Sequence, residues 1–374
     1  MIIFKKHKRQ ITAPPIKHIL GIDQLRYAFA LWVFFCHGGW PPFFAGHPNT
    51  KAFELLDHVY GWVVNGQAAV IGFFIISGLC IHYPNIRRSP LDLKSFYTAR
   101  FLRLSLPLIA CLAIGKLVHY QHPDGFLRLV PMWSLYCEGM YYLIYPLVLI
   151  AIKKERLIQL ITVSSIISIA LIILWANDRS MYFHEIGGGG LLAWKAAVMA
   201  FPCWLAGVLM AERFSDAAIT DKVVSSNKSL WLWRLGALFL SAITFPLYRL
   251  GLYLKVVTLP LAGLIFSSQF NILLFGVYAF FWIEKEILYH NFGNIKIKPS
   301  ALLERFGLAA YSLYLIHILV LWFFDKFPAA WFPGYLMFWI IQLLTLHLVL
   351  YLFYTIVEKP SHKLAKFCSA ALRG

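Results

Sequence analysis

The sequence predicts an all-α fold, a polytopic membrane bundle of about ten transmembrane helices. Three observations carry that prediction. The 374 residues are 60% hydrophobic and 14% charged, whereas a soluble domain is nearer half apolar and one quarter charged. The apolar runs are continuous over about 20 residues each, without the alternation a membrane barrel needs. The charged residues fall between these runs, and the 17% of aromatic residues suits interfacial belts and packed helices.

Taken in order, spans are expected near 19–38, 62–82, 101–119, 131–152, 157–176, 190–211, 230–248, 259–283, 306–325 and 333–357. The first run holds Asp23 and Arg26 and is followed by no small-residue cleavage site, so it reads as a retained anchor. The stretch from 230 to 283 has room for two spans and a short loop, or for a re-entrant piece. Gly187–Gly190 reads as a flexible outer loop or a close helix entry. The tail after Lys359 is short and basic, and residues 1–374 read as one transmembrane domain with short cytoplasmic tails.

The formal charge is +17, from 34 Lys+Arg against 17 Asp+Glu. Membrane topology explains this better than a nucleic-acid partner, because the charges separate by side. With the N-terminus inside, 24 of the 34 basic residues fall on cytoplasmic segments and 8 on outer ones, with Arg26 and Arg234 inside spans. The asymmetry predicts a multi-pass protein of the cytoplasmic (inner) membrane with both termini cytoplasmic. Five of the six cysteines lie in apolar stretches and none form a CxxC pair, which predicts buried, inert thiols rather than disulfides or a zinc site.

Polar residues inside the apolar runs are the candidate site. Arg26 and His37 are eleven residues apart on the first helix. Eleven steps of about 100° end some 20° past three turns, so both side chains share a face, about 16 Å apart along the axis. Such groups in a membrane helix usually line a cavity holding water or substrate. The competing reading of His37 is a solvated histidine at the outer interface. Arg100 and Arg103, three apart, form a fork suited to phosphate at the cytoplasmic mouth of the third helix. From composition alone, positive-inside anchoring by snorkelling is the favoured reading of the pair.

Glu138 lies within an apolar run, with Ser134, Tyr141, Tyr142 and Tyr145 on its face. It is either functional or a structural acid that fixes helix packing. Tyr311, Tyr314 and His317 line one face of a later span, where a hydrogen-bonded core histidine is the alternative. Glu358 closes the last span at the cytoplasmic face, a solvated interfacial acid being the alternative reading, and Pro360 is expected to stop that helix. His119 and His122 lie in an outer loop without further ligands, so no metal is expected. No phosphate loop, HExxH or GxSxG occurs.

Together these segments resemble the membrane-bound acyltransferase-3 family. The matching motifs are Arg26-x10-His37, GFFIISG at Gly72–Gly78, F-x3-R-x2-R-x3-P at Phe96–Pro107, WSLxxE at Trp133–Glu138, YSLYLIH at Tyr311–His317 and VEKP at Val357–Pro360. They run in order over nearly the whole chain. The resemblance implies transfer of an acyl group, usually acetyl, to hydroxyls of surface or exported glycans. It implies His37 and Arg26 as the essential pair, Arg100 and Arg103 as donor-side arginines, and Trp133 and Glu138 as further site residues. Two departures matter. Many members carry an acid before the Phe-Phe of the second helix, where this chain has Ile71. The fused SGNH hydrolase-like domain of some members is not evident here, which implies a one-component mechanism or a separate partner.

The expected chemistry uses acyl-CoA, acetyl-CoA foremost, as co-substrate with no permanently bound cofactor. The expected partners are the bilayer and a carbohydrate acceptor, lipid-linked or exported. His37 is the expected general base, a covalent acyl-histidine being the other route. Arg26, Arg100 and Arg103 hold the donor, and Glu138 orients an imidazole or binds sugar hydroxyls. Ser134, Tyr142, Tyr314, His317 and Glu358 complete the candidate site. A polar-path transporter of a glycan or acyl-bearing metabolite is the alternative function, and a non-catalytic envelope scaffold is a third.

Overall fold

A computed structural model of the protein describes residues 19–39, 55–56, 59, 61–86, 91–122, 125–185, 193–215, 227–292, 298–327 and 331–372. The expectation for Gly187–Gly190 lies outside these residues. Among the described residues the regular structure is entirely helical. The main helices are α1 (Ile22–Phe34), α2 (Gly66–His82), α3 (Leu93–Leu117), α4 (Met132–Lys153), α5 (Leu157–Leu174), α6 (Trp194–Phe214) and α7 (Asn227–Ala242). They are followed by α8 (Thr244–Tyr253), α9 (Ser268–Phe292), α10 (Ala301–Gly307), α11 (Ala310–Phe324), α12 (Tyr335–Phe353) and α13 (Lys359–Ala371).

Among the described residues, seven helical stretches are long and apolar enough to cross a bilayer, or eight if the bent pair α10 and α11 is one span. Helices stand at all ten expected places, but two fall short of that criterion. One is α1, which has 13 residues in α-helix and carries Asp23 and Arg26. The other is α9, polar at both ends through Gln269, Asn271, Glu284 and Glu286. It starts at Ser268, later than expected, because residues 257–266 form successive turns. Conversely, α3 begins earlier than expected, where Asp92 accepts from the Ser95 amide at 3.2 Å and caps the helix. Arg100 and Arg103 therefore sit about two to three turns inside α3 rather than at its mouth.

The bundle is built around α2, whose membrane window is 83% buried, against 17–22% for α3, α4 and α5 at the lipid-facing rim. Its sequence is apolar all round, as a central helix requires. Its tightest partner is α6. A Cβ on Gly78 would strike the Trp204 carbonyl, and one on Gly207 the Ile75 carbonyl. Reciprocal small residues of this kind let two membrane helices approach backbone to backbone.

Three buried acids tie helices together outside the two cavities described below. His82 Nε2 and Glu212 Oε1 are 2.7 Å apart. Arg213 pairs with Glu284 at 2.5 Å. Arg234 pairs with Glu286 at 2.6 Å, and the Trp282 indole also donates to Glu286, at 3.0 Å.

Two π turns interrupt the helical ladder. One, Phe35–Gly39, extends α1 and contains Gly38 at φ 110°. The other, Tyr354–Glu358, joins α12 to α13. The expectation that Pro360 stops the last helix is wrong. Pro360 closely follows the π turn, where the helical ladder is already interrupted, and the helix runs on to Ala371.

Candidate functional site

The start of α1 is clamped before any site residue is placed. The Glu304 carboxylate accepts from the amides of Gly21 and Gln24 at 3.1 and 3.3 Å, satisfying donors that a helix N-terminus leaves open. The Asn291 side chain bridges the Leu20 backbone, N–H and carbonyl, at 3.0 Å each. One turn later Arg26 donates to Asp23 at 3.0 Å. Asp23 is buried, whereas Arg26 keeps 34% of its side-chain surface accessible, from inside a cavity.

That cavity, the arginine chamber, has a volume of about 250 Å³. Arg26 of α1, Ser77 and Cys80 of α2, and Arg100 and Arg103 of α3 face it, with Glu138 and Tyr142 of α4, Tyr311 and Tyr314 of α11, Glu358 and His362. Arg100 lies 5.8 Å from the ring centroids of both Phe96 and Tyr142, a cation–π arrangement that holds the guanidinium without a carboxylate. Glu138 accepts from Ser77 at 3.0 Å and from Tyr142. Glu358 accepts from the Ser312 amide at 3.0 Å and from the Ser312 hydroxyl. Among the described residues no carboxylate lies within ion-pair distance of Arg100 or Arg103. Their charge is thus free to meet an anion.

A second cavity of about 110 Å³, the histidine chamber, is lined by Cys36, His37, Asn65, Gln67, Trp133, Tyr182, His184 and Phe245 among others. His37 Nδ1 lies 2.9 Å from the Val33 carbonyl. A carbonyl only accepts, so Nδ1 carries the proton and Nε2 keeps the lone pair. His317, 5.0 Å away between ring centroids, repeats the arrangement through the Tyr314 carbonyl at 2.8 Å. Its Nε2 is buried without a partner among the described residues. His184 stacks on Trp133 with centroids 5.0 Å apart and rings 12° from parallel. Burial, reinforced by Arg128 and His37, pushes the His184 imidazole down to about 4. Gln67 fixes the loop behind it, donating to the Met181 carbonyl at 3.4 Å and accepting from the Phe183 amide.

Val70 and Tyr314 line both chambers and so form the wall between them. Tyr314 meets Ser134 through their hydroxyls, and Ser134 in turn donates to the Pro131 carbonyl at 3.0 Å.

Of the residues singled out in the sequence, Arg26, Arg100, Arg103, Ser134, Glu138, Tyr142 and Glu358 meet in the arginine chamber. His37 and Trp133 lie in the other, and Tyr314 between them. Arg26 and His37 thus do not share one continuous cavity. The extrapolation of 100° per residue ends at Phe34, because the π turn that follows spreads each turn over more residues.

Other expectations are corrected as well. Glu138 is held by Ser77 and Tyr142, not by an imidazole. Tyr141 and Tyr145 turn away, to the Ala197 carbonyl at 2.8 Å and to His82 at 3.0 Å. His317 is fully buried and lines neither chamber. Glu358 is buried rather than solvated, and its carboxylate accepts from Ser312. Cys36 and Cys80 face the two cavities instead of lying inert in the core. Sequence reasoning also passed over Ser77, His362 and His184. Ser77 sits inside the GFFIISG run and is the one polar side chain there; His184 lies in an irregular loop that gives no periodic signal.

Residues 19–358 match the model of a family described as an acyltransferase domain. No curated protein and no solved structure matches the chain.

Proposed function

The chain belongs to the acyltransferase-3 family and is a membrane acyltransferase; from that premise we propose that it moves an acyl group, acetyl foremost, from cytoplasmic acyl-CoA to a hydroxyl of a surface or exported glycan. One observation carries the donor half of this reading. Arg26, Arg100 and Arg103 converge from two helices on a single cavity, one wall away from an imidazole. A cluster of guanidiniums inside a membrane bundle is costly unless an anion compensates it, and the phosphates of CoA are such an anion. The excess of basic residues on the arginine side of the bundle supports entry from the cytoplasm of the inner membrane.

In this reading Arg100 and Arg103 hold CoA phosphates and Arg26, steadied by Asp23, meets the donor deeper in the bundle. The thioester is presented toward His37. The Nε2 lone pair of His37 takes the proton of the acceptor hydroxyl as its oxygen attacks the thioester carbonyl. The C–S bond breaks, and the CoA thiolate leaves with the proton returned by the imidazolium. Trp133, Tyr182 and Phe245 give the histidine chamber aromatic walls suited to the apolar face of a sugar. Family membership favours this reading over a transporter, because it accounts for the polar residues inside the spans through chemistry.

The test is transfer of label from acetyl-CoA to glycan acceptors in reconstituted vesicles. His37→Ala is expected to lower transfer by about 10²-fold or more, the usual worth of a general base. Arg100→Ala with Arg103→Ala is expected to weaken acyl-CoA binding while leaving the fold intact. Full transfer by His37→Ala at normal expression, or unchanged binding by the double variant, rejects the corresponding role.

A further inference from the structure

We propose that Tyr314 and Val70 form an acyl-length filter between the two chambers, with Ser134 as its latch. The proposal rests on the reading above that the donor occupies the arginine chamber. Of all the residues lining the two cavities, only Val70 and Tyr314 line both, so the wall is one residue thick on each side. A thioester held among the arginines reaches His37 only by passing between them.

Proton inventory fixes the latch. Ser134 has a single hydroxyl proton and gives it to the Pro131 carbonyl. The Tyr314 hydroxyl is therefore the donor in its contact with Ser134. The chain Tyr314 to Ser134 to Pro131 ties the ring to the start of α4. The Tyr314 ring is further braced edge-on by Phe73, with centroids 6.0 Å apart. Val70 belongs to α2, the most buried of the spanning helices. The two sides of the wall thus differ: Val70 is fixed by its helix, while Tyr314 moves by parting one hydrogen bond and turning about its side-chain torsions. An acetyl group takes up little of the roughly 110 Å³ beyond the wall, whereas a longer chain has to fold back onto the Tyr314 ring and Val70, which makes them specificity-determining residues.

The native cysteines report on the wall without reference to acyl chemistry, since Cys80 lines the arginine chamber and Cys36 the histidine chamber. A membrane-impermeant, anionic methanethiosulfonate reagent would be added to one side of sealed proteoliposomes and labelling read at each cysteine by mass spectrometry. In the wild type, each side is expected to label its own cysteine at least about tenfold faster than the other. In Tyr314→Ala, reagent from either side is expected to label both. Cross-labelling in the wild type, or unchanged side selectivity in Tyr314→Ala, overturns the wall.

The filter is read from rates with acetyl-CoA and hexanoyl-CoA. Tyr314→Ala and Val70→Ala are expected to raise the hexanoyl-to-acetyl ratio by about tenfold or more, the scale on which pockets discriminate by added methylenes. Tyr314→Phe keeps the ring but loses the latch, so its ratio is expected to fall between those of the wild type and Tyr314→Ala, an order that misfolding would not produce. An unchanged ratio in both widened variants overturns the filter. If the wild type transfers from no acyl-CoA, the donor reading fails and the filter with it, while the labelling result still decides whether the wall exists.

Discussion

His184 lies face to face with Trp133 in the histidine chamber, and its environment has a consequence for pH. Burial and the neighbouring Arg128 hold its imidazole at about 4, below the ordinary value of 6.5. Between these values the unfolded chain takes up a proton that the folded chain refuses. The stability tied to neutral His184 is therefore fully present above pH 6.5 and is lost as pH falls toward 4. Melting temperature in detergent is expected to drop more between pH 7 and pH 4.5 in the wild type than in His184→Gln. Equal drops would show that this imidazole does not carry the effect. The same contrast between position and environment governs the acids. Glu138 and Glu358 face the arginine chamber, whereas Glu212, Glu284 and Glu286 are spent on histidine and arginine partners between helices.

At the scale of elements, two contacts decide where the site's helices stand. The first is the seam between α2 and α6, where Gly207 faces the Ile75 carbonyl. Gly207→Ala is expected to force the helices apart at a cost of about 1–3 kcal/mol, the usual range for overpacking. Gly139→Ala on α4 is the control, because a Cβ there meets nothing within 4 Å. Thermal unfolding of the two variants measures the difference. The second is Arg179, whose guanidinium donates to the carbonyls of Ile172, Val257, Leu259 and Pro260 at 2.8–3.3 Å. It closes the end of α5 and holds the turns that precede α9. Arg179→Ala leaves the buried carbonyls of Ile172 and Val257 without this donor, with an expected loss of about 1–3 kcal/mol. Arg179→Lys is expected to rescue little, because an ammonium cannot reproduce the fork; full thermal stability in Arg179→Lys would refute the fork argument.

For the molecule as a whole, the charge asymmetry of the loops sets an orientation. The arginine chamber is expected on the cytoplasmic side and the C-terminus with it. A protease site appended after Gly374 is expected to be cut in inverted membrane vesicles and protected in intact spheroplasts. The opposite pattern would place the donor chamber outside, away from cytoplasmic acyl-CoA. The separation of the two chambers by Val70 and Tyr314 also gives the bundle two faces that are chemically distinct, one rich in guanidinium and one rich in imidazole and aromatic rings.

The all-helical membrane architecture and the residues worth examining were legible in the sequence, because continuous apolar length and a polar group inside it are one-dimensional signals. Arg26, Arg100, Arg103, Glu138 and Glu358 stood out in this way, and the fold gathers all five around one cavity. Tertiary structure alone decided how they are divided. Two π turns break the periodicity from which facing was extrapolated, at His37 and at Glu358, and the packing of Val70 against Tyr314 puts His37 in a separate chamber. The roles of Cys36, Cys80, Ser77 and His184 likewise depend on which distant helix or loop lies opposite them. Helical phase is a local property and can be read along the chain; a cavity is bounded by residues remote in sequence, and only packing determines which of them meet.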